Sequence, residues 1–443
     1  MTDTSSSRAL SYAEALDAVL RDVVSVPSEI VPLEHALGRA LASDVHSPIA
    51  LPPWDNAGMD GYAVRRADVR GATIEHPVSL AIVGSIAAGA DPATLPTVTA
   101  RTATRIMTGA PVPNGADAVV RIEDTDRGTS VVTIVSDRDL AGRGNVRPRG
   151  EDVSAGAVVF ARGTTIGASH LGALASIGCA TPPVHRRPLV TILASGDELV
   201  MLDRFDEVRA GRRIVSSTSY ALPALLQHAG ADVHVLPLLA DDLATVTDAI
   251  RGAVGDGCDL LVTTGGVSVG AHDYTRDALA ALGGTLGFWR ARIRPGGPIG
   301  IGHVLGVPWL GLPGNPVSTM VTGALFAWPL IRRLGGHGSI HHLPLRVRML
   351  DAVETPAALT YFVRVCLTLG VDGALEARLA GPQGSNLLRT MALANALLVV
   401  PESMARVEVG TTLPALLLPG AELLRSTTPT LIDFPDVHEG ANA

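Results

Sequence analysis

Aromatic residues are scarce in this chain: Phe, Trp and Tyr together make up 3% of its 443 residues. Its cores must therefore be built from Ala, Val, Leu and Ile, and stacking platforms for nucleic-acid bases are poorly provided. Positive charge is also short, because Lys and Arg number 35 against 43 Asp and Glu, a formal charge of −8. That balance argues against general nucleic-acid binding but leaves room for a local basic pocket. Only three cysteines occur, Cys179, Cys258 and Cys366, far apart in sequence. They offer neither a disulfide framework nor a zinc spacing, and a reducing cytoplasm fits them. Long apolar runs are missing too. The uncharged stretch from Val304 to Ile331 is broken by Pro308, Pro313, Asn315, Pro316 and Pro329, so no membrane span is expected. The N-terminus, MTDTSSSRAL, lacks a basic segment followed by an apolar one, so no secretory signal is expected.

The length implies about three or four domains. YAEALDAVLRDV, between Ser11 and Leu41, has helical periodicity, and an extended segment rich in proline follows. From Pro48 to Gly150, short β-like runs such as VSLAIVG and SVVTIV are separated by Gly, Pro and Asp. A helical piece around Ser169 to Ile177 comes next. After His185, strands alternate with helix-length segments: Leu189–Ala194, Asp232–Leu236 and Asp259–Thr263 as strands, with Tyr220–Ala229, Asp241–Val254 and Tyr274–Leu282 as helices. Such alternation predicts a parallel sheet covered on both faces. Beyond Leu343 the runs LPLRVRML, TYFVRVCLTL and NALLVVP suggest a small β barrel. The fold class is thus multidomain α/β plus β. The expected domains are 8–48 with 150–183, a β-rich insertion at 49–149, an α/β domain at 184–337 and a β barrel at 338–443.

Ligands of open parallel sheets bind outside the carboxyl ends of the strands. Three loops should meet there: Ser195 to Glu198, the stretch TTGGVSVGAHDYT from Thr263 to Thr275, and Pro313 to Ser318. The glycines Gly265, Gly266 and Gly270 fit neither GxGxxG nor a P-loop, yet they bare a backbone whose amides can reach an anion. Asn315 can cap a helix beginning at Pro316. In RARIRPGGP, Arg290, Arg292 and Arg294 would share one face of a strand, a cationic stripe suited to an anionic ligand. Asp197, Glu198, Asp241 and Asp273 fall at or just after predicted strand ends, and hard oxygens beside phosphate are what Mg2+ needs. His337, His341 and His342 lie in a Gly-rich link and read as linker residues, and nothing pairs with His272 as in a hydrolase triad.

Five blocks carry a resemblance: LPPWDNAGMDGYAVR, RIMTGAPVPNGADAVV, ASGDELV, TTGGVSVGAHDYT and GLPGNPVS. In them the chain resembles the MoeA family of molybdopterin molybdenumtransferases, with the E domain of gephyrin-type proteins. The resemblance implies a four-domain elongated homodimer whose central domain is a MogA-like, three-layer molybdopterin-binding fold. The β insertion of one subunit would approach the cleft of the other. It also implies insertion of molybdate into adenylylated molybdopterin with release of AMP and help from Mg2+, and contact with other cofactor-biosynthesis proteins. Carried over by position, Asp60 and Thr108 in the insertion would be catalytic, as would Glu198, Asp241 and Asp273. Gly265, Gly266 and Ser268 would contact the pterin phosphate or its nucleotide, and Arg294, Pro298 and Ser318 would line the molybdate site.

Two departures stand out. The family commonly has Lys-Pro-Gly-Lys-Pro where this chain has Arg294, Pro295, Gly296, Gly297 and Pro298. Ser216, Ser217 and Thr218 replace an Asp-Ser/Thr-Asn pattern. The competing readings are a MogA-like molybdopterin adenylyltransferase, disfavoured by the extra β domains, and a non-catalytic molybdopterin-binding or scaffold paralogue, for which the missing lysine is the discriminating feature.

Overall fold

The computed structural model describes residues 9–420 except Ala141, residues 266–273, Ala357 and Val371. The chain divides into two units, one of Met1–Glu29, Gly38–Ala40 and Val184–Ala443, the other of Ile30–Leu37 and Leu41–Pro183.

The first unit is organised by a six-stranded sheet in the order Asp232–Val235, Leu189–Ala194, Leu260–Thr264, Val307–Leu312, Pro298–Val304, Thr285–Arg290. The first four strands run parallel, Pro298–Val304 pairs antiparallel with Val307–Leu312, and Thr285–Arg290 pairs antiparallel with Pro298–Val304 in turn. The sheet is therefore mixed, where the sequence predicts a parallel one. A two-residue hairpin accounts for the difference: Leu305 and Gly306, both at positive φ, turn the chain back between the paired Val304 and Val307. This is the backbone twist that tight antiparallel turns require. Leucine at such a position gives no turn signal.

Both faces are covered, as expected. Val190, Ile192, Leu260, Val262, Leu310 and Leu312 pack on one side with Leu222, Leu226 and the helical residues Val317 to Leu334. Leu193, Leu261 and Trp309 point the other way, onto Val246, Ile250, Ala253, Ala278 and Leu279. Strands apolar on both faces belong in the middle of a layered sheet. The helix Leu243–Gly255 starts at Asp242, whose carboxylate accepts from the amide and hydroxyl of Thr245, both at 2.8 Å. The N-terminal helix Tyr12–Leu20 carries a reciprocal Ser11/Glu14 capping box and sets Tyr12 edge-on against Phe326 and Phe362.

Within the same unit, strands Thr360–Leu369, Leu375–Leu379, Pro344–Met349, Thr412–Leu417 and Ala396–Val400 are paired in that order, and the last pairs with the first. The barrel expected from the sequence is present and closed. Its first strand also pairs in parallel with Ile293–Arg294.

That pairing dissolves the predicted arginine stripe. Arg290 ends an edge strand of the mixed sheet, whereas Arg294 belongs to a strand on the barrel. Arg292, between them, donates to the Ala9 carbonyl at 2.6 Å and pairs with Glu402 at 3.2 Å. The period of two fails because the chain changes sheets there.

The second unit is mostly β, as predicted. Its main sheet has the order Ala118–Arg121, Gly61–Val64, Thr102–Ile106, Val78–Ile86, Val131–Ile134. Gly61 is obligatory there, since a Cβ would meet the Val120 carbonyl at 1.9 Å. The expected helix near Ser169 spans Ala168–Ser176.

Candidate active site

Three loops leave the carboxyl ends of the parallel strands and touch. A Cβ on Gly314 would lie 3.4 Å from the Gly265 Cα, and one on Gly265 would lie 3.4 Å from the Ser195 carbonyl. Gly265 has φ +83° and donates its amide to Leu312 at 3.1 Å. The glycines thus let three backbones close around one point. Beside them opens a cleft of about 300 Å3, lined among others by Ser195, Glu198, Ser216, Thr218, Gly265 and Asn315.

Two helices begin at this cleft, Thr218–His228 and Pro316–Thr322, the latter continued by a π-helical Gly323–Ala327 and by Trp328–Leu334. Neither Ser217 nor Asn315 caps its helix through the side chain. Asn315 holds the cap position that the sequence predicts, without the bond. Both dipoles reach the same space unquenched by a cap, which favours an anion. Ser216 and Ser219 share a buried 2.7 Å hydroxyl contact at its edge.

Among the predicted acids, Glu198 is exposed on the cleft wall. Asp197 accepts from the Asp241 amide at 3.3 Å, which joins the first loop to the next strand's end. Asp241 is half-buried, and its neighbour Asp242 does the capping. Gly266, Ser268 and Asp273 lie outside the described residues. Among the described residues, no group of three or more His, Cys, Asp and Glu side chains is placed to hold a metal. His342 instead contacts the Ala324 carbonyl at 3.1 Å and the Trp328 ring.

The predicted molybdate residues sit on the helix and the neighbouring strands. Ser318 is only 4% exposed, with its carbonyl accepting from the Thr322 hydroxyl at 2.7 Å. Pro298 opens an antiparallel strand, half-buried, and Arg294 lies exposed 5.6 Å over the Tyr361 ring.

Arg364 is a buried charge near the site that the sequence motifs do not point to. It is 0% exposed on a barrel strand, and one terminal nitrogen donates to the carbonyls of Pro382 and Gly384 at 2.9 and 3.1 Å. Its Nε and Nη1 are buried without a partner, and burial pulls its pKa down. The loop it holds continues to Ser385, whose carbonyl accepts the Val317 amide at 3.2 Å. Arg364 is thereby linked to the helix start beside Ser318. A lone arginine inside the apolar run TYFVRVCLTL was the available signal.

In the second unit, Asp60 and Thr108 form a pair of their own. The Thr108 amide and hydroxyl both donate to one Asp60 oxygen, at 2.7 and 2.6 Å. The Thr108 hydroxyl, then its amide, and also Arg105 hold the Asp60 carboxyl below its usual range.

Three family descriptions match in succession: MoeA N-terminal region (domain I and II) over residues 10–178, probable molybdopterin binding domain over 191–333, and MoeA C-terminal region (domain IV) over 346–418. Molybdopterin molybdenumtransferase 2 of Mycobacterium tuberculosis is 39% identical over 391 residues, covering 86% of this chain and 93% of the relative. The chain belongs to the MoeA family. A MoeA relative from Nostoc, also called molybdopterin molybdenumtransferase, is 36% identical over 88% of this chain and 89% of its own. The crystal structure of the molybdopterin biosynthesis moeA protein of Pyrococcus horikoshii OT3 superposes with a TM-score of 0.79 at 26% identity, covering 93% of this chain and all of that one. The MoeA assignment thus spans the second unit, the mixed sheet and the barrel.

Proposed function

We propose that this chain is a molybdopterin molybdenumtransferase that inserts molybdate into adenylylated molybdopterin with release of AMP, acting as a cytoplasmic homodimer. The observation that carries the reading is the cleft where two helices without side-chain caps and three glycine-bearing loops converge. Holding a phosphorylated pterin next to an oxyanion requires dipoles and cations that offset their mutual repulsion. The names of the curated relatives support the same reaction class.

In this reading Ser195, Gly265 and the helix starting at Thr218 receive the phosphate end of the substrate. Gly266 and Ser268 are assigned to the pterin phosphate or its nucleotide on the family resemblance alone. Glu198, Asp197, Asp241 and Asp273 are the acids; one or two of them would hold magnesium, which would supply positive charge to offset the negative charge of the substrate. A magnesium ion takes one or two carboxylates plus phosphates and retains water, so a full protein cage is not needed. Ser318, Pro298 and Arg294 line the molybdate site, with Arg364 supplying buried positive charge from behind it where the family's second lysine is replaced by Gly297. Asp60, fixed as a carboxylate by Thr108, is the acid of the second unit. We also read the chain as four domains, bounded near residues 48, 150, 183 and 337, in contact with other proteins of cofactor biosynthesis.

The test combines purified protein with adenylylated molybdopterin, molybdate and magnesium, and follows AMP release and active cofactor. Both should appear at rates comparable to the Mycobacterium tuberculosis relative. Release of neither, while that relative works alongside, overturns the reading. Adenylylation of free molybdopterin by ATP would instead point to an adenylyltransferase.

A further inference from the structure

The helical run that starts at Pro316 and bears Ser318 carries a proline inside it. Pro329 has no amide hydrogen and its ring crowds the preceding turn, so it disturbs the hydrogen-bond ladder of a helix. Here the disturbance is taken up just before it, in the π-helical turn Gly323–Ala327. The Trp328 amide donates to Gly323, five residues back, in place of Ala324, four back. Five residues beyond Ala324 stands Pro329, which has nothing to donate. The Ala324 carbonyl is thus passed over in both registers, on a residue only 2% exposed. A buried carbonyl without a donor destabilises a fold.

A side chain from outside the helix fills the gap. His342 places Nε2 3.1 Å from the Ala324 oxygen and its ring 5.2 Å from that of Trp328. A carbonyl only accepts, so Nε2 must carry the hydrogen. Burial lowers the pKa of the ring, against the bond to Ala324 and with help from Arg332 and His341, which favours a neutral imidazole as the donor. His342 belongs to the link between the mixed sheet and the barrel, which Arg332 also ties down by donating to the Ser339 carbonyl at 2.8 Å. The barrel's first strand starts just beyond it, at Pro344. We propose that His342 is a positioning residue of the molybdate site: it supplies the donor that Pro329 withholds and so holds the wide turn that sets the rotation of Ser318. One extra residue in a turn offsets the helix faces on either side of it by about 100°. The orientation of Ser318 therefore depends on the turn staying wide, and the turn depends on a bond made from the link. The inference rests on the reaction proposed above in naming molybdate, whereas the hydrogen-bond accounting stands without it.

The full-length protein, with 15N-labelled histidine rings and 13C-labelled methionine methyl groups, provides the test. Met320, on the helix of Ser318, reports its position, and Met320→Leu assigns the signal. The ring signals lost in His342→Phe should be those of a neutral imidazole protonated at Nε2. That variant keeps a ring against Trp328 but loses the donor. It should move the Met320 resonance and raise the molybdate needed for half-maximal AMP release by on the order of tenfold, at a near-parental maximal rate. His342→Gln, whose amide nitrogen can donate in place of Nε2, should stay close to the parent in both. Pro329→Ala returns an amide hydrogen to the helix, so His342→Phe in that background should change little. The inference is overturned by an Nδ1-protonated ring, by a Met320 resonance or molybdate requirement that His342→Phe leaves in place, or by an equal loss in the Pro329→Ala background. If the parent releases no AMP, the proposed reaction fails, while the ring and Met320 signals still decide whether His342 sets the helix.

Discussion

Arg364 holds a charge that, among the described residues, no carboxylate offsets. Two of its nitrogens are buried without acceptors, and such donors destabilise a fold unless something arrives to use them. Replacing it by Met removes the charge and keeps much of the volume. We expect Arg364→Met to melt at or above the parent temperature, while the molybdate needed for half-maximal AMP release rises about tenfold or more. Loss of stability in a melting scan would show that the arginine serves packing instead. Asp60 offers a second test at this scale. Its carboxyl is lowered from 3.8 chiefly by the Thr108 hydroxyl. A depressed acid contributes stability that is present above its unfolded pKa and lost as pH falls through the folded one. In Thr108→Val the carboxyl should titrate nearer 3.8, read by NMR of the Asp60 side chain. His337 works with the opposite chemistry. Burial, aided by Arg332, His185 and Arg187, pushes its pKa from 6.5 to about 3. The unfolded chain takes up this proton first, so stability is full above 6.5 and declines as pH falls toward 3, by up to about 1.4 kcal/mol per pH unit. Chemical denaturation at about pH 7 and about pH 4.5 should reveal a decline that His337→Gln reduces.

At the scale of elements, what was legible depended on whether one signal dominated. Leu189–Ala194 is a run of apolar residues buried on both faces, and its bounds are those the sequence predicts. Pro298–Val304 is hidden in the sequence because Gly300 and Gly302 interrupt its pattern, and a Cβ on Gly302 would strike the Thr285 carbonyl at 1.9 Å. The glycines that permit close strand pairing there also conceal it. The convergence of loops at the cleft was legible, because it follows from topology. The bond pattern around it was not, since Asn315 sits at the cap position without capping and Arg364, on a barrel strand, is tied to the helix start only through the loop at 382–385. Gly297 belongs to this scale as well. Its φ is not in the left-handed region, and a Cβ would meet the Ala291 and Ile293 carbonyls at 3.3 Å, which is tight but open to a small adjustment. Gly297→Lys should therefore fold and lower the molybdate concentration required for AMP release. Gly296→Ala should not behave alike, because at φ +94° its Cβ would stand 2.3 Å from Thr322. Its expected loss of stability, read by thermal melting, is about 1–3 kcal/mol.

On the scale of the molecule, the two units each close a core of their own, and neither draws on the scarce aromatics for more than a few anchors. Tyr62 alone represents them in the main core of the second unit, as the composition implies. The helices are all too short or too polar, among the described residues, to cross a membrane. The barrel is less self-sufficient than its closure suggests. Its own strands begin at Pro344, yet Thr360 and Tyr361 also pair with Ile293 and Arg294, which precede the helix starting at Pro316 in the chain. The strand is lent by the sheet domain. A barrel excised at residue 338 would leave the start of Thr360–Leu369 as a bare edge inviting another chain. Swapping barrels between relatives, whether by recombination in nature or at the bench, should then succeed only when residues 291–298 travel as part of the cassette.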